Sequence, residues 1–223
     1  MTMRVLLFTR YPRPGAAKTR LGAHIGMERA AAFQTAFIRD ELCMLESMQA
    51  ATTLCCDPAA PLDDYRRLFG ERLPCREQRG ADLGERMLHA LHTALGEGAR
   101  RAVLIGSDLP DLPARQVQAA FAALEGAPLC IGPAPDGGFH LLGLSAPLPP
   151  GIFAGVEWGG AGVLGRVLDT CSTLGLAPAL LETWPDVDTV EDLVAYARRN
   201  RDRDTHTMAL VRAFNLAPEA WKS

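Results

Sequence analysis

The chain has 223 residues, 48% of them hydrophobic, which is enough to build one sizeable core without disulfide or metal staples. The 23 Lys and Arg against 26 Asp and Glu give a net charge of −3, which argues against nucleic-acid or membrane-surface partners. No apolar run approaches the roughly 18 residues of a membrane helix, no secretory signal is readable, and six cysteines without a C-x-x-C pair favour a reducing cytoplasm.

Buried strands and amphipathic helices alternate along the chain. Apolar runs predict strands at residues 4–8, 52–56, 102–105, 128–131 and 179–181. Helical periodicity predicts helices over 27–48, 83–95, 117–124 and 190–197. Such alternation predicts one α/β domain over residues 1–223, with a mostly parallel sheet, helices on both faces and an added antiparallel strand at 138–144.

A basic loop follows the first strand. Between residues 9 and 20 it carries Arg10, Arg13, Lys18 and Arg20 and no acid, and its prolines and Gly15 predict a fixed turn. Guanidinium groups bind phosphate oxygens in pairs and a lysine adds a point charge, so the loop predicts a diphosphate clamp. No P-loop or dinucleotide-binding glycine pattern is present. The alternative is a solvent-exposed basic loop without a ligand.

Acids follow two later strands, and ligands bind at the carboxyl ends of strands in open parallel sheets. Asp108 is placed to hold a divalent cation that bridges substrate phosphates; the alternative is a turn cap. Asp111 is interpreted as a helix cap. Asp136 with Gly137 and Gly138 is typical of a hairpin turn, but its position predicts that it shares a sheet edge with Asp108.

The last acidic segment is Asp186-Val187-Asp188-Thr189. Asp188 or Thr189 could cap the following helix through Asp192. The segment also imitates the nucleophile motif of haloacid-dehalogenase-like phosphatases, but that interpretation fails because too little of the chain follows for the body of such a domain.

Five motifs, in order, resemble a small glycosyltransferase-like family with the GT-A fold, in the nucleotide-diphospho-sugar transferase superfamily. They are residues 8–15 with 18–21, 80–87, 106–110, 132–138 and 186–189. The resemblance spans nearly the whole chain. It implies a single GT-A domain with a nucleotide-binding half at about 1–112 and an acceptor half at about 113–223.

The resemblance also implies roles for individual residues. Asp108 stands where the superfamily has its metal-binding D-x-D signature, and Asp188 is the second metal-side candidate, for Mg²⁺ or Mn²⁺. Lys18 and its arginine neighbours would face the diphosphate. Gln78, Gly80 and Asp82 belong to the segment that binds the nucleotide; for Asp82, the alternative is a helix N-cap paired with Glu85.

The acceptor side departs from the family pattern at three places. Pro135 replaces an acid, His140 replaces an aromatic residue, and the two glycines after Trp158 replace Ser-Thr. We interpret His140 as a packed or hydrogen-bonded histidine. The predicted acceptor-side residues are Gly137, Gly138, Glu157 and Trp158.

These residues predict a metal-dependent glycosyltransferase with a nucleotide-sugar donor and a small-molecule acceptor. Asp108, Lys18 and Asp136 are the predicted catalytic residues, and Asp136 or Glu157 would act as the general base. One alternative is a nucleotidyltransferase that takes a nucleoside triphosphate and releases pyrophosphate. Another is a non-catalytic nucleotide-sugar-binding protein.

Overall fold

The computed structural model describes residues 3–149 and 151–216, in which seven strands form one sheet covered by helices on both faces. The strands are β1 (Met3–Thr9), β2 (Ala51–Cys56), β3 (Cys75–Glu77), β4 (Arg101–Gly106), β5 (Leu129–Pro133), β6 (Phe139–Leu144) and β7 (Ala179–Leu180). The helices are α1 (Thr19–Ile25), α2 (Met27–Ser47), α3 (Leu62–Phe69), α4 (Leu83–Gly96), α5 (Ala114–Ala123), α6 (Val163–Thr173), α7 (Val190–Arg199) and α8 (His206–Ala213).

The sheet order is β3-β2-β1-β4-β6-β5-β7. β6 runs antiparallel to β4 and β5, and the other pairings are parallel, which confirms the predicted mixed α/β sheet with residues 138–144 as its antiparallel strand. β1 lies near the centre, and its residues alternate between two cores. Val5 and Leu7 pack on one face of the sheet, and Leu6 and Phe8 pack on the other.

A third cluster lies outside the sheet and joins α1, α2, α7 and α8. Its largest members are Phe33, Phe37 and Tyr196, all fully buried. Val187, from the segment before α7, is buried in the same cluster. This packing brings residues 186–189 next to the start of α1, and therefore next to the basic loop.

The structure corrects two local predictions. The basic loop ends earlier than expected, because Thr19 and Arg20 already belong to α1. Asp111 does not cap α5, which begins after Pro113 without a side-chain cap; instead its buried carboxylate binds Arg199 and Asn200.

Candidate active site

A cleft of about 700 Å³ opens at the carboxyl ends of β1 and β4, where the predicted loops meet. Ten of the predicted site residues line it: Arg10, Lys18, Arg20, Gln78, Asp82, Asp108, Asp136, Gly138, Trp158 and Asp188. Four predicted residues are not among its lining residues: Arg13, Gly80, Gly137 and Glu157. The structure therefore brings together most of the proposed phosphate and metal groups.

Lys18 lies at the centre of the charged end of the cleft. Its Nζ is 2.7 Å from Oδ1 of Asp108 and 2.6 Å from Oδ1 of Asp188, and only 2% of its side chain is exposed. Burial alone would lower the pKa of Lys18, but the two carboxylates raise it above its ordinary value. Lys18 therefore keeps its positive charge while shielded from water.

The backbone of Lys18 is unusual. It has φ 52° and ψ 44°, in the left-handed region that a residue with a Cβ rarely adopts, and it directly precedes α1. Such a conformation persists only where surrounding contacts enforce it. Here the two ion pairs and the ring of Phe37, 5.7 Å from Nζ, hold the side chain in place.

Main-chain contacts position the two carboxylates. The N–H of Val187 donates to the carbonyl oxygen of Asp108 at 2.9 Å, which ties the two acidic segments together. The N–H of Leu109 donates to the buried carboxyl group of Glu41 at 2.8 Å. On the other side, Thr189 and Asp192 form a capping box at the start of α7, which confirms Thr189 as the N-cap.

The arginines of the basic loop differ in position. Arg10 and Arg20 are exposed and line the cleft, whereas Arg13 is exposed elsewhere. Burial would raise the pKa of Asp188, but Lys18, Arg20 and Arg10 together hold it below its ordinary value. The basic part of the cleft therefore consists of one buried ammonium and two accessible guanidinium groups.

Asp186 is a cleft residue that the predicted site lacked. It lies in the same wall as Asp188. Burial raises its pKa to about 6, and the negative charges of Asp188, Asp136 and Asp108 add to the effect. The sequence contained a signal for this residue: Asp186 and Asp188 are two positions apart, and side chains at that spacing in an extended segment point to the same side.

The predicted nucleotide segment is held mainly by its own hydrogen bonds. The amide nitrogen of Gln78 donates to the carbonyl oxygens of Thr9 and Cys55, so it has no further hydrogen to offer a base. Asp82 accepts from the N–H of Glu85 at 2.9 Å, which confirms the N-cap alternative. Gly80 has φ +147°, and a Cβ there would lie 2.6 Å from the nitrogen of Arg86.

The predicted acceptor side contains an aromatic group and a glycine turn. Trp158 packs edge-on against Phe139 and Phe153, with ring centroids 6.3 and 5.5 Å away. His140 is buried and its Nδ1 is 2.9 Å from the carbonyl oxygen of Pro133, which confirms the packed interpretation. Glu157 is exposed, outside the cleft.

The carboxylate oxygens of Asp108 and Asp188 are chemically suited to bind a divalent cation. Oδ1 of Asp108 and Oδ1 of Asp188 converge on one point, and carboxylate oxygens are the ligands that Mg²⁺ and Mn²⁺ prefer. Within residues 3–149 and 151–216, however, no three His, Cys, Asp or Glu side chains form a ready-made metal site. Mg²⁺ usually completes its shell with water and phosphate oxygens, so two carboxylates are compatible with it.

Comparison with known proteins identifies the fold. A family model described as "Uncharacterized protein conserved in bacteria (DUF2064)" matches residues 42–160. A protein of Desulfovibrio desulfuricans G20, provisionally described as a nucleotide-diphospho-sugar transferase, is 37% identical, with a TM-score of 0.91 over 97% of this chain and 96% of that one. A search of curated protein sequences found no match.

Two more distant structures share the fold alone. Glucosyl-3-phosphoglycerate synthase of Mycobacterium tuberculosis, solved with Mg²⁺ and UDP, is 14% identical with a TM-score of 0.52 over 97% of this chain and 80% of that one. CMP:2-keto-3-deoxy-manno-octonic acid synthetase, solved with CTP, is 11% identical with a TM-score of 0.58 over 91% and 100%. The predicted nucleotide-diphospho-sugar transferase fold is confirmed. Among the described helices, none is both long and apolar enough to cross a bilayer.

Proposed function

Because the chain belongs to the bacterial family DUF2064 and has the nucleotide-diphospho-sugar transferase fold, we propose that it is a metal-dependent glycosyltransferase with a nucleotide-sugar donor. One observation carries the proposal: Asp108 and Asp188 converge on Lys18 in a cleft that Arg10 and Arg20 also line. A cytoplasmic location and a small-molecule acceptor are part of the same proposal.

The basic residues would bind the diphosphate of the donor. The guanidinium groups of Arg10 and Arg20 can each offer two parallel N–H donors to phosphate oxygens, and they are exposed at the cleft. Positive charge placed there favours departure of the nucleoside diphosphate, because negative charge develops on it as the sugar bond breaks.

Asp108 and Asp188 would hold the metal. When bound, Mg²⁺ or Mn²⁺ supplies a Lewis acid that neutralises charge on the leaving diphosphate. Val187 binds the carbonyl oxygen of Asp108, and the N–H of Leu109 binds Glu41 of α2. These contacts keep the two carboxylates facing one point, so the proposed ligands are positioned before substrate arrives.

Asp136 would act as the general base. Its carboxylate is exposed in the cleft, and the N–H of Gly138 holds one of its oxygens at 2.9 Å. A carboxylate fixed in this way can take the proton of an acceptor hydroxyl as the oxygen attacks the anomeric carbon. Of the two predicted bases, only Asp136 lines the cleft.

The test is the identity of the product. Purified protein is incubated with Mn²⁺ or Mg²⁺ and panels of nucleotide sugars, nucleoside triphosphates and small hydroxyl compounds, and products are identified by mass spectrometry. Release of nucleoside diphosphate with a glycosylated product supports the proposal. Release of pyrophosphate establishes nucleotidyl transfer instead, and binding without any product establishes a nucleotide-sugar-binding protein.

A substitution at Asp108 tests the metal assignment. Asp108→Ala removes one of the two converging oxygens, so we expect nucleotide binding to lose its dependence on Mn²⁺. Isothermal titration of nucleoside diphosphate with and without Mn²⁺ measures this. Arg13→Ala, which removes a charge outside the cleft, is the matched control. Metal-dependent binding that survives in Asp108→Ala contradicts the assignment.

A further inference from the structure

We propose that Lys18 is a tethered counter-ion of Asp108 and Asp188 that competes with the divalent cation for this pair of carboxylates. The ammonium holds the pair in the metal-free protein, and it moves to the diphosphate when the cation and nucleotide bind together. The inference rests on the proposed function only in the metal and diphosphate that it assigns to this cleft.

Geometry makes the two occupants mutually exclusive. Nζ is 2.7 Å from Oδ1 of Asp108 and 2.6 Å from Oδ1 of Asp188, so a cation bound by both oxygens would occupy nearly the same point. Two positive charges cannot share that point, because they would repel strongly at contact distance. Binding of the cation to these two Oδ1 atoms together therefore requires the ammonium to leave.

The surroundings explain why the ammonium occupies this position without metal. Only 2% of the Lys18 side chain is exposed, and burying one unpaired charge is costly. The two carboxylates face the same point and would repel each other if nothing positive lay between them. The ion pairs thus keep Asp108 and Asp188 in a metal-binding arrangement before any metal is present.

The tether determines where the displaced ammonium can go. Lys18 directly precedes α1, whose buried residues Leu21 and Gly22 anchor the backbone, so Nζ can swing but not leave the cleft. Arg10 and Arg20 line the same cleft, and a diphosphate bound between them lies within the reach of a lysine side chain. The phosphate oxygens of the nucleotide would then replace the two carboxylates as partners of the Lys18 ammonium.

This exchange predicts coupling between the two ligands. The cation alone must displace Lys18 without compensation and should bind the wild-type protein weakly. With a nucleoside diphosphate present, the displaced ammonium gains a phosphate partner, so each ligand should strengthen the binding of the other by the same factor.

The first test measures Mn²⁺ binding without nucleotide, by electron paramagnetic resonance of the free ion, in wild type, Lys18→Met and Arg20→Met. Lys18→Met is expected to bind Mn²⁺ at least about tenfold more tightly than wild type, because the competitor is gone. Arg20→Met also removes one positive charge from the cleft but leaves the Lys18 ammonium between the two carboxylates. Its affinity for Mn²⁺ should therefore differ from that of wild type by about threefold or less. Affinity in Lys18→Met that is equal to or weaker than that of wild type overturns the inference, and so does an equal gain in Arg20→Met.

The second test uses wild-type protein and remains decisive if Lys18→Met does not fold. The chain contains two lysines, Lys18 and Lys222, so a sample labelled with ¹⁵N at the lysine side chain gives two ammonium signals. The Lys222→Arg variant assigns them. We expect Mg²⁺ with nucleoside diphosphate to shift the Lys18 signal and speed its proton exchange. A Lys18 signal that is unmoved at saturating ligand overturns the inference.

These outcomes are separate from those of the proposed function. If the protein makes a glycosylated product only with Mn²⁺ and Lys18→Met gains no affinity, the competition is wrong and the glycosyltransferase stands. If Lys18→Met gains a Mn²⁺ site and no product is formed, the competition stands and the transferase assignment falls.

Discussion

Two side chains in the cleft, those of Lys18 and Asp136, depend on unusual backbone conformations. Lys18 adopts a left-handed backbone and stays charged while 2% exposed, and Asp136 depends on a turn that glycines allow. A carboxylate held by its own turn, as Asp136 is, is pre-organised for a proton transfer, because it need not reorient when the reaction begins. Substitution of such residues should therefore affect rate, stability or both in separable ways.

Asp136→Asn tests the general base at the residue scale. The amide keeps the size of the side chain but cannot take a proton, so we expect kcat to fall by about two to four orders of magnitude with donor KM nearly unchanged. Steady-state release of nucleoside diphosphate measures it. Glu157→Gln removes the other predicted base, which is outside the cleft, and should keep its rate. A loss in Glu157→Gln with none in Asp136→Asn refutes the assignment.

Gly137→Ala tests the turn that presents Asp136. Gly137 has φ +89°, and a Cβ there would lie 1.9 Å from the carbonyl oxygen of Ala161. We expect its free energy of unfolding to fall by about 2–4 kcal/mol in urea denaturation, from backbone strain plus overlap. Gly151 has the same φ and open space around it, so Gly151→Ala should cost only about 1 kcal/mol. Equal losses in the two variants would show that the contact with Ala161 contributes nothing.

At the scale of elements, helix starts determine where the acids point. Thr189 caps α7, and Asp192 accepts from the N–H groups of both Asp188 and Thr189. The capping box therefore holds the backbone of a proposed metal ligand as well as the helix. Helix α8 is capped by Thr205, whose hydroxyl accepts from the N–H of Met208 and lies outside the cleft.

Thr189→Ala and Thr205→Ala test whether the cap of α7 only stabilises its helix or also positions the Asp188 carboxylate. Both variants should lose about 1–2 kcal/mol of stability in thermal or urea unfolding, because each removes an N-cap hydrogen bond and a second hydroxyl contact, with Asp192 for Thr189 and with Tyr196 for Thr205. Only Thr189→Ala should also weaken Mn²⁺-dependent nucleotide binding, because only that cap adjoins Asp188. Unchanged binding in Thr189→Ala would show that the capping box does not position the carboxylate.

Across the whole molecule, distant segments stabilise the charged end of the cleft. The cluster of α1, α2, α7 and α8 brings Lys18 and Asp188 together although they are 170 positions apart. Beneath them, Glu41 of α2 accepts from the N–H of Leu109 and is almost fully buried. Because this carboxyl group is buried in the folded protein and hydrated in the unfolded one, its ionisation makes the stability of the molecule depend on pH.

Glu41→Gln tests that dependence. Burial raises the pKa of Glu41 well above its ordinary value; the N–H of Leu109 and Lys18 oppose the shift, whereas Asp108 and Asp40 add to it. A raised folded pKa means that stability is complete below the unfolded pKa, about 4.3, and is lost as pH rises toward the folded pKa. Glu41→Gln keeps the acceptor and cannot ionise, so its Tm should exceed that of wild type increasingly from pH 5 to pH 9.

The matched control for this series is Glu46→Gln, which removes an exposed carboxylate from the same helix. Its Tm is expected to follow that of wild type across the whole pH range. A Tm advantage of Glu41→Gln that shrinks as pH rises would contradict the sign of the shift.

Much of the fold could be predicted because local patterns report it directly. Continuous apolar runs predict five strands, period-3.6 hydrophobicity predicts four helices, and residues 138–144 are predicted as the antiparallel strand that became β6. The missed elements are α6, with eleven residues, and four shorter ones, of which α1, α3 and α8 have seven or eight residues and β3 has three. In segments of that length, packing against distant residues outweighs intrinsic propensity.

The sequence by itself determined which loops meet at the cleft, since residues that follow parallel strands collect at one edge of the sheet whatever their side chains are. Only the tertiary structure decided which side chains converge. It joined Lys18 to Asp108 and Asp188, added Asp186, and left Arg13 and Glu157 outside the cleft. The direction of a loop side chain depends on contacts with segments far along the chain, and no local pattern in the sequence encodes those contacts.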